Sequence, residues 1–217
     1  MPTLSYRDKI AVLDLGGDEN RFSPEFLTSV GEHLDTVIAD GAHALVTTAS
    51  GKFYSNGLDL DWLSAHGERA EWYVAQVQSL LARVLTFPMP TAAALPGHAF
   101  GAGAMLALAH DYRVMRADRG YFCFPEADIR IPFTRGMSAL IQAKLTPRSA
   151  IASMTTGRRF GGPDALAYDL VDATGDLDTL TDTALALLGP IGAKDQDTLG
   201  AIKATMFADA VSALHNA

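Results

Sequence analysis

Residues 90–115 read PTAAALPGHAFGAGAMLALAHDYRVM, and this run decides the fold. It opens with a short apolar strand over 91–95 and makes a tight glycine-rich turn over 97–103. A helix of small apolar residues follows over 104–109, and the chain returns to a strand at 112–115. No Asp, Glu, Lys or Arg occurs from Val84 to Ala109, a stretch long enough to suggest a membrane span. Pro88, Pro90, Pro96 and three glycines interrupt it, so the run reads as the buried core of an α/β protein.

The flanks repeat the alternation. Residues 9–15 (KIAVLDL) form a β-prone run closed by Gly16 and Gly17. Ser23-Pro24-Glu25 marks a helix start, with Ser at the cap and Pro at the first helical position. Phe26, Leu27, Val30, Leu34, Val37 and Ile38 follow at helical spacing, and Gly41 ends the helix. Residues 44–48 (ALVTT) give another strand. Residues 68–87 give a helix with Trp72, Val77, Leu80, Leu81 and Val84 on its apolar stripe. Strands alternating with helices imply a mainly parallel sheet with right-handed crossovers. From Thr134 onward the pattern is mostly helical. No internal repeat and no linker stands out, so the expectation is a single α/β domain over 1–217, with a core over about 1–172 and a short helical region over about 173–217.

Composition narrows the function. The 217 residues carry 17 Lys and Arg against 25 Asp and Glu, a net charge of −8 that disfavours general nucleic-acid binding. Cys123 is the single cysteine, which excludes an intramolecular disulfide and a Cys-rich metal site. Its neighbours Phe122 and Phe124 make it a buried structural thiol. A lone thiol and an N-terminus with no apolar leader fit a cytoplasmic chain.

Three segments, each after an expected strand, are placed where open α/β sheets hold ligands. They are GKFYSNGLDL at 51–60, PGHAFGAG at 96–103 and FCFPEAD at 122–128. A dinucleotide loop fails because Leu106 stands where the third glycine would be, and no Gly-Lys-Ser/Thr supports a triphosphate loop. The glycines serve close packing or bring backbone N–H groups to a developing oxyanion, through Gly101, Ala102 and Gly103 and the turn Asn56-Gly57-Leu58. Glu126, between Pro125 and apolar residues, is a candidate desolvated base or a strand-end surface carboxylate. Asp128 is a poorer candidate, Asp59 and Asp111 read as caps or turn formers, and His98 and His110 as core or turn histidines. Lys52, Arg116 and Arg119 are candidate phosphate contacts or plain surface charges.

Taken together, these segments resemble the crotonase (enoyl-CoA hydratase/isomerase) superfamily from roughly Lys9 to Asp172, with RFGGPDALAYDLVD at 159–172 similar to a later family stretch. The resemblance implies a ClpP-like fold of stacked ββα units, assembling as a homotrimer or a dimer of trimers. It implies an acyl-CoA thioester as substrate, its carbonyl held by the backbone N–H groups of Leu58 and Ala102. Coenzyme A contacts are implied at Lys52, Gly57, Asp59, Gly101 and Gly103, with an acyl pocket lined partly by the helix from Glu68. No metal or redox cofactor is implied. Met105 stands where hydratases of the family carry one of two glutamates, which leaves Glu126 as the single carboxylate. That pattern, and the wording of GKFYSNGLDLDW, is similar to plant and peroxisomal-type Δ3,Δ2-enoyl-CoA isomerases of fatty-acid β-oxidation. Another crotonase reaction (hydration, hydrolysis, decarboxylation) or a non-catalytic acyl-CoA-binding role are the alternatives. Arg130 and Asp169 each stand where the family usually has glycine, and the region after Asp172 is short for the resemblance.

Overall fold

The computed structural model describes residues 1–216. Its strands are β1 (Thr3–Arg7), β2 (Ile10–Asp14), β3 (Ala44–Thr48), β4 (Phe53–Ser55), β5 (Thr91–Leu95), β6 (His98–Phe100), β7 (Tyr112–Arg116), β8 (Phe122–Cys123) and β9 (Ala173–Gly175). Its α-helices are α1 (Pro24–Ala39), α2 (Leu60–Ala65), α3 (Ala70–Leu85), α4 (Ala102–Ala109), α5 (Glu126–Ile129), α6 (Arg135–Lys144), α7 (Pro147–Met154), α8 (Gly162–Ala167), α9 (Leu180–Leu188), α10 (Gln196–Met206) and α11 (Ala208–His215).

Two sheets share the strands. The larger has the order β1-β2-β3-β5-β7-β9, and the smaller β4-β6-β8. All neighbours are parallel except the β1–β2 pair. The chain therefore lays one strand in the large sheet, the next in the small sheet, and then a helix, three times over: β3-β4-α2, β5-β6-α4 and β7-β8-α5. These are the stacked ββα units that the resemblance implied. Two expectations change. The 97–103 segment is not a simple tight turn, because it contains β6. A structural repeat is present where no sequence repeat stood out.

Period-two alternation explains why the large sheet is buried on both faces. Leu13, Leu45, Ala93, Leu95 and Met115 point into the main core with α1, α3 and α4. Val12, Val46, Ala92, Ala94 and Val114 point the other way, against Leu180, Ala184 and Leu188 of α9. The edge strand β9 lies just past Asp172, and α11 packs on α6 and α3. α1 starts as expected, with the Ser23 hydroxyl accepting from the Phe26 N–H and Pro24 in the first turn. Ile38 and Trp72 are solvent-exposed instead of core-facing. Among the described residues no helix is long and apolar enough to cross a membrane.

The apolar helix α4 ends in a polar cluster. The His110 carbonyl accepts from Arg113 at 3.1 Å and from Lys144 at 2.9 Å, cations at the negative end of the helix. The buried His110 ring joins Thr47 at 3.0 Å and the Leu106 carbonyl at 2.8 Å. Burial pushes its pKa down to about 4. Next to it, one Asp111 oxygen accepts from the Thr91 N–H at 2.8 Å and from Lys203 at 2.6 Å. Asp111 thus ties the start of β5 to α10. Lys203 is nearly buried and, among the described residues, has only the Met89 carbonyl as its other partner. Asp111→Ala would strand that ammonium, and it is expected to cost about 3 kcal/mol, read as a lower urea midpoint with an unchanged m-value.

Candidate active site

The first segment, 51–60, crosses the small sheet as β4 and turns at Gly57 into α2. The second crosses it as β6 and enters α4 at Ala102. Their ends meet backbone to backbone. A Cβ on Gly57, which has a φ of +81°, would lie 2.7 Å from the Phe100 carbonyl oxygen and 2.9 Å from the Ala102 nitrogen. A Cβ on Gly103 would lie 2.5 Å from the Ser55 carbonyl oxygen. Only glycine allows this approach. The Ser55 side chain fixes the turn further, donating to the Asn20 carbonyl at 2.7 Å and accepting from the Gly57 N–H at 3.1 Å.

Leu58 and Ala102 line one cavity of about 310 Å³, together with Gly101 and Glu126. Among the described residues, neither the Leu58 N–H nor the Ala102 N–H is given to an acceptor. Ala102 occupies the first position of α4, where a helix leaves its N–H groups free and carries partial positive charge.

Glu126 opens α5 after β8. One carboxylate oxygen, Oε2, is buried with no hydrogen-bond partner among the described residues. The other, Oε1, lies 3.5 Å from where a Cβ on Gly101 would stand. Burial raises the Glu126 pKa to about 7, against a smaller opposing effect from a hydrogen bond with its own backbone. Of its two readings, the desolvated carboxyl is the one the geometry supports.

The remaining candidates are scattered. Asp59 caps α2, accepting from the Trp62 N–H at 3.1 Å, and does not line the cavity. Lys52 and Arg119 are exposed, and Arg116 is held by Asp118. No residue of α3 lines this cavity, so the acyl pocket expected against that helix is not found there. Cys123 is buried with its thiol 3.3 Å from the Gly157 carbonyl, and burial raises its pKa to about 11. Arg130 and Asp169 adopt φ values of +61° and +54°, the region glycine fills without strain. Sequence reading missed Arg21 and Asp61, which pair at 2.6 Å on the cavity rim. They lie too far apart in the chain for any spacing rule to join them.

Comparison with known proteins agrees with this architecture. The enoyl-CoA hydratase/isomerase family profile matches residues 7–217. Enoyl-CoA delta isomerase 3 of Arabidopsis thaliana is 40% identical over 183 residues, covering 80% of this chain and 76% of that protein. Peroxisomal enoyl-CoA delta isomerase 2 of the same plant is 37% identical over the same shares. Among solved structures, an enoyl-CoA hydratase/isomerase family protein of Pseudomonas syringae matches with a TM-score of 0.92 at 26% identity, covering 98% of this chain and 93% of that one. Human mitochondrial Δ3-Δ2-enoyl-CoA isomerase has the same fold, with a TM-score of 0.87 at 24% identity, covering 98% and 85%. The chain belongs to the enoyl-CoA hydratase/isomerase family and is an acyl-CoA enzyme with the crotonase fold.

The Glu126 environment makes a prediction that does not depend on turnover. Its folded pKa lies above that of an unfolded carboxyl, so stability falls as pH rises from about 4.5 towards 7. Glu126→Gln, which mimics the neutral acid, should therefore stabilise the fold at pH 8 by about 3 kcal/mol and change little at pH 4. Chemical denaturation at the two pH values checks both halves.

Proposed function

We propose that the protein moves the double bond of a 3-enoyl-CoA to the 2-position by proton transfer through Glu126. The observation that carries this reading is a single desolvated carboxyl in one cavity with two unpaired backbone N–H groups. In the proposed cycle, the thioester oxygen accepts from the N–H groups of Leu58 and Ala102, which acidifies the C2 proton. The Glu126 carboxylate removes that proton. The resulting dienolate carries its charge on the oxygen, where the two donors and the start of α4 stabilise it. Glu126, now the acid, returns the proton at C4, and the carboxylate is regenerated with no net gain or loss.

Hydration needs one group to activate water and another to handle the α-proton. Met105 supplies no acid or base where the resemblance puts the second glutamate. Asp61, the other carboxylate at the cavity, is exposed on the rim and ion-paired to Arg21. The named relatives from Arabidopsis thaliana, both called enoyl-CoA delta isomerases, favour the same choice.

Purified protein given a medium-chain 3-enoyl-CoA should form the conjugated thioester, followed by its ultraviolet absorbance, and should hydrate a 2-enoyl-CoA far more slowly. Its kcat/KM should climb with pH and level off above about 7, as the Glu126 carboxyl loses its proton. Glu126→Gln should lower turnover by about 10²–10⁴-fold. Hydration as fast as isomerisation, or an active Glu126→Gln variant, would sink the assignment.

The donor role of Ala102 has its own test. Proline is tolerated at the first position of a helix and lacks an N–H. Ala102→Pro should therefore keep the thermal melt within a few degrees while turnover falls by about 10²–10³-fold. Turnover at the wild-type rate would remove Ala102 from the proposed site.

A further inference from the structure

The turn from Asn56 to Leu60 leaves one N–H group free. Asn56 donates to the Glu19 carbonyl at 2.8 Å and Leu60 to the Leu58 carbonyl at 3.1 Å. Gly57 donates to the Ser55 hydroxyl at 3.1 Å, and Asp59 to the Tyr73 hydroxyl at 2.8 Å. Leu58 is the exception among them. Its direction is fixed from the other end of its own peptide unit, because Phe22 donates to the Gly57 carbonyl at 2.8 Å. The unit is trans, so its C=O and N–H point in opposite directions. The next unit joins the Leu58 carbonyl to the Asp59 N–H, and Tyr73 is the side chain that holds it.

Tyr73 belongs to α3 and is fully buried in the main core, its ring 5.1 Å from that of Trp62 on α2. Packing alone would be served by phenylalanine, which offers the same ring without a hydroxyl to desolvate. Burial raises the Tyr73 pKa to about 12, so the phenol stays neutral and its oxygen accepts. Among the described residues the Asp59 N–H is the one group bonded to that oxygen. The hydroxyl therefore serves the turn rather than the helix that carries it. Neither Tyr73 nor Asp59 lines the cavity, so any effect on the reaction has to pass through Leu58.

We propose that Tyr73 is a positioning residue, whose hydroxyl holds the Leu58–Asp59 peptide so that the Leu58 N–H alone faces the thioester oxygen. This inference rests on the thioester role proposed for Leu58. Without the hydroxyl, the Asp59 N–H loses its acceptor and the peptide is free to rotate. The Leu58 N–H, one bond sequence earlier, then loses its fixed aim. A donor that wanders costs most where negative charge develops on the oxygen, and least in the ground-state complex. Tyr73 should therefore act on turnover and on the polarisation of the bound carbonyl, and little on binding.

Tyr73→Phe keeps the ring and removes the acceptor. With a 3-enoyl-CoA its kcat should fall about tenfold, less than the 10²–10³-fold of a donor lost outright, while KM stays within about twofold. The pH at which kcat/KM levels off should remain about 7, since Glu126 is untouched. Infrared spectroscopy of saturated hexanoyl-CoA, isotope-labelled at the thioester carbonyl, reads the donors directly. Bound to the wild type, the carbonyl stretch should move to lower frequency than in free solution, and Tyr73→Phe should lose about half of that shift. Trp62→Phe trims the ring on which Tyr73 packs and leaves the hydroxyl in place, so it should lower the thermal melt and keep both the shift and kcat. A carbonyl shift in Tyr73→Phe equal to the wild type's overturns the proposal, even if activity falls. So does an equal loss of shift in Trp62→Phe, which would reduce Tyr73 to packing. Absence of any shift in the wild type removes the thioester donors themselves, and the role of Tyr73 with them. If no 3-enoyl-CoA turns over but the shift is present and shrinks in Tyr73→Phe, the positioning role stands and the double-bond shift fails.

Discussion

At the mouth of the cavity two backbone segments touch with no side chain between them, and the rest of the site depends on that contact. Gly57 leans on the start of α4, and Gly103 leans on Ser55 at the end of β4. A methyl group at either place would push the two segments apart. The N–H groups of Leu58 and Ala102 would then no longer face one cavity. The small sheet supplies the same proximity from below, because β4 and β6 are hydrogen-bonded neighbours whose carboxyl ends both open on the site. The large sheet fixes β3 and β5, which feed those two strands. Position is thus set by backbone packing, with tolerances that flexible side chains could not hold.

Charge is distributed to match. α4 is apolar throughout, so it has no side-chain charge of its own to blur its dipole. Its N-terminal end faces the cavity, and the carbonyl of its C-terminal capping residue, His110, accepts from both Arg113 and Lys144. Burial depresses the Lys144 pKa to about 8 and works against the charged form of His110 as well. The fold keeps these costly groups where Asp111 and Asp172 stand close by. Glu126 is the contrasting case. It is desolvated, and among the described residues only a hydrogen bond with its own backbone offsets part of the cost of its charge. Desolvation of this kind destabilises the native state in exchange for a reactive group.

How much was legible follows from burial and element length. The strand–helix–strand run at 90–115 was readable because β5 is apolar on both faces, Gly or Pro marks its two ends, and only His110-Asp111 separates the apolar helix α4 from β7. Ser23 and Pro24 located the start of α1 through capping chemistry alone. The strands of the small sheet were not readable, since three residues or fewer are too short to show a period. β1 was missed for another reason: it is an edge strand, mostly exposed, so it carries no apolar signature. At the site, Glu126, Leu58 and Ala102 were named from sequence and share one cavity. The Arg21–Asp61 pair is a product of tertiary folding. The odd residues at 130 and 169 were visible as departures from glycine, but only the backbone explains them. Both sit at positive φ, and the chain accepts the strain there.

The position of the Glu126 pKa bears on why one carboxyl would be enough. A proton shift between two carbons uses the same group first as base and then as acid. An ordinary carboxylate, with a pKa near 4, is a weak base towards C2 and gives the proton up to solvent too readily to deliver it to C4. A carboxyl with a pKa far above neutrality would be protonated before substrate arrives. Near 7, both forms lie within about a factor of ten of each other under neutral conditions, which is the compromise a two-way proton carrier needs. Two carboxylates could divide the tasks, each tuned to its own. With methionine at 105 the chain has no such division, so in the proposed cycle the burial of Glu126 would have to serve both half-reactions.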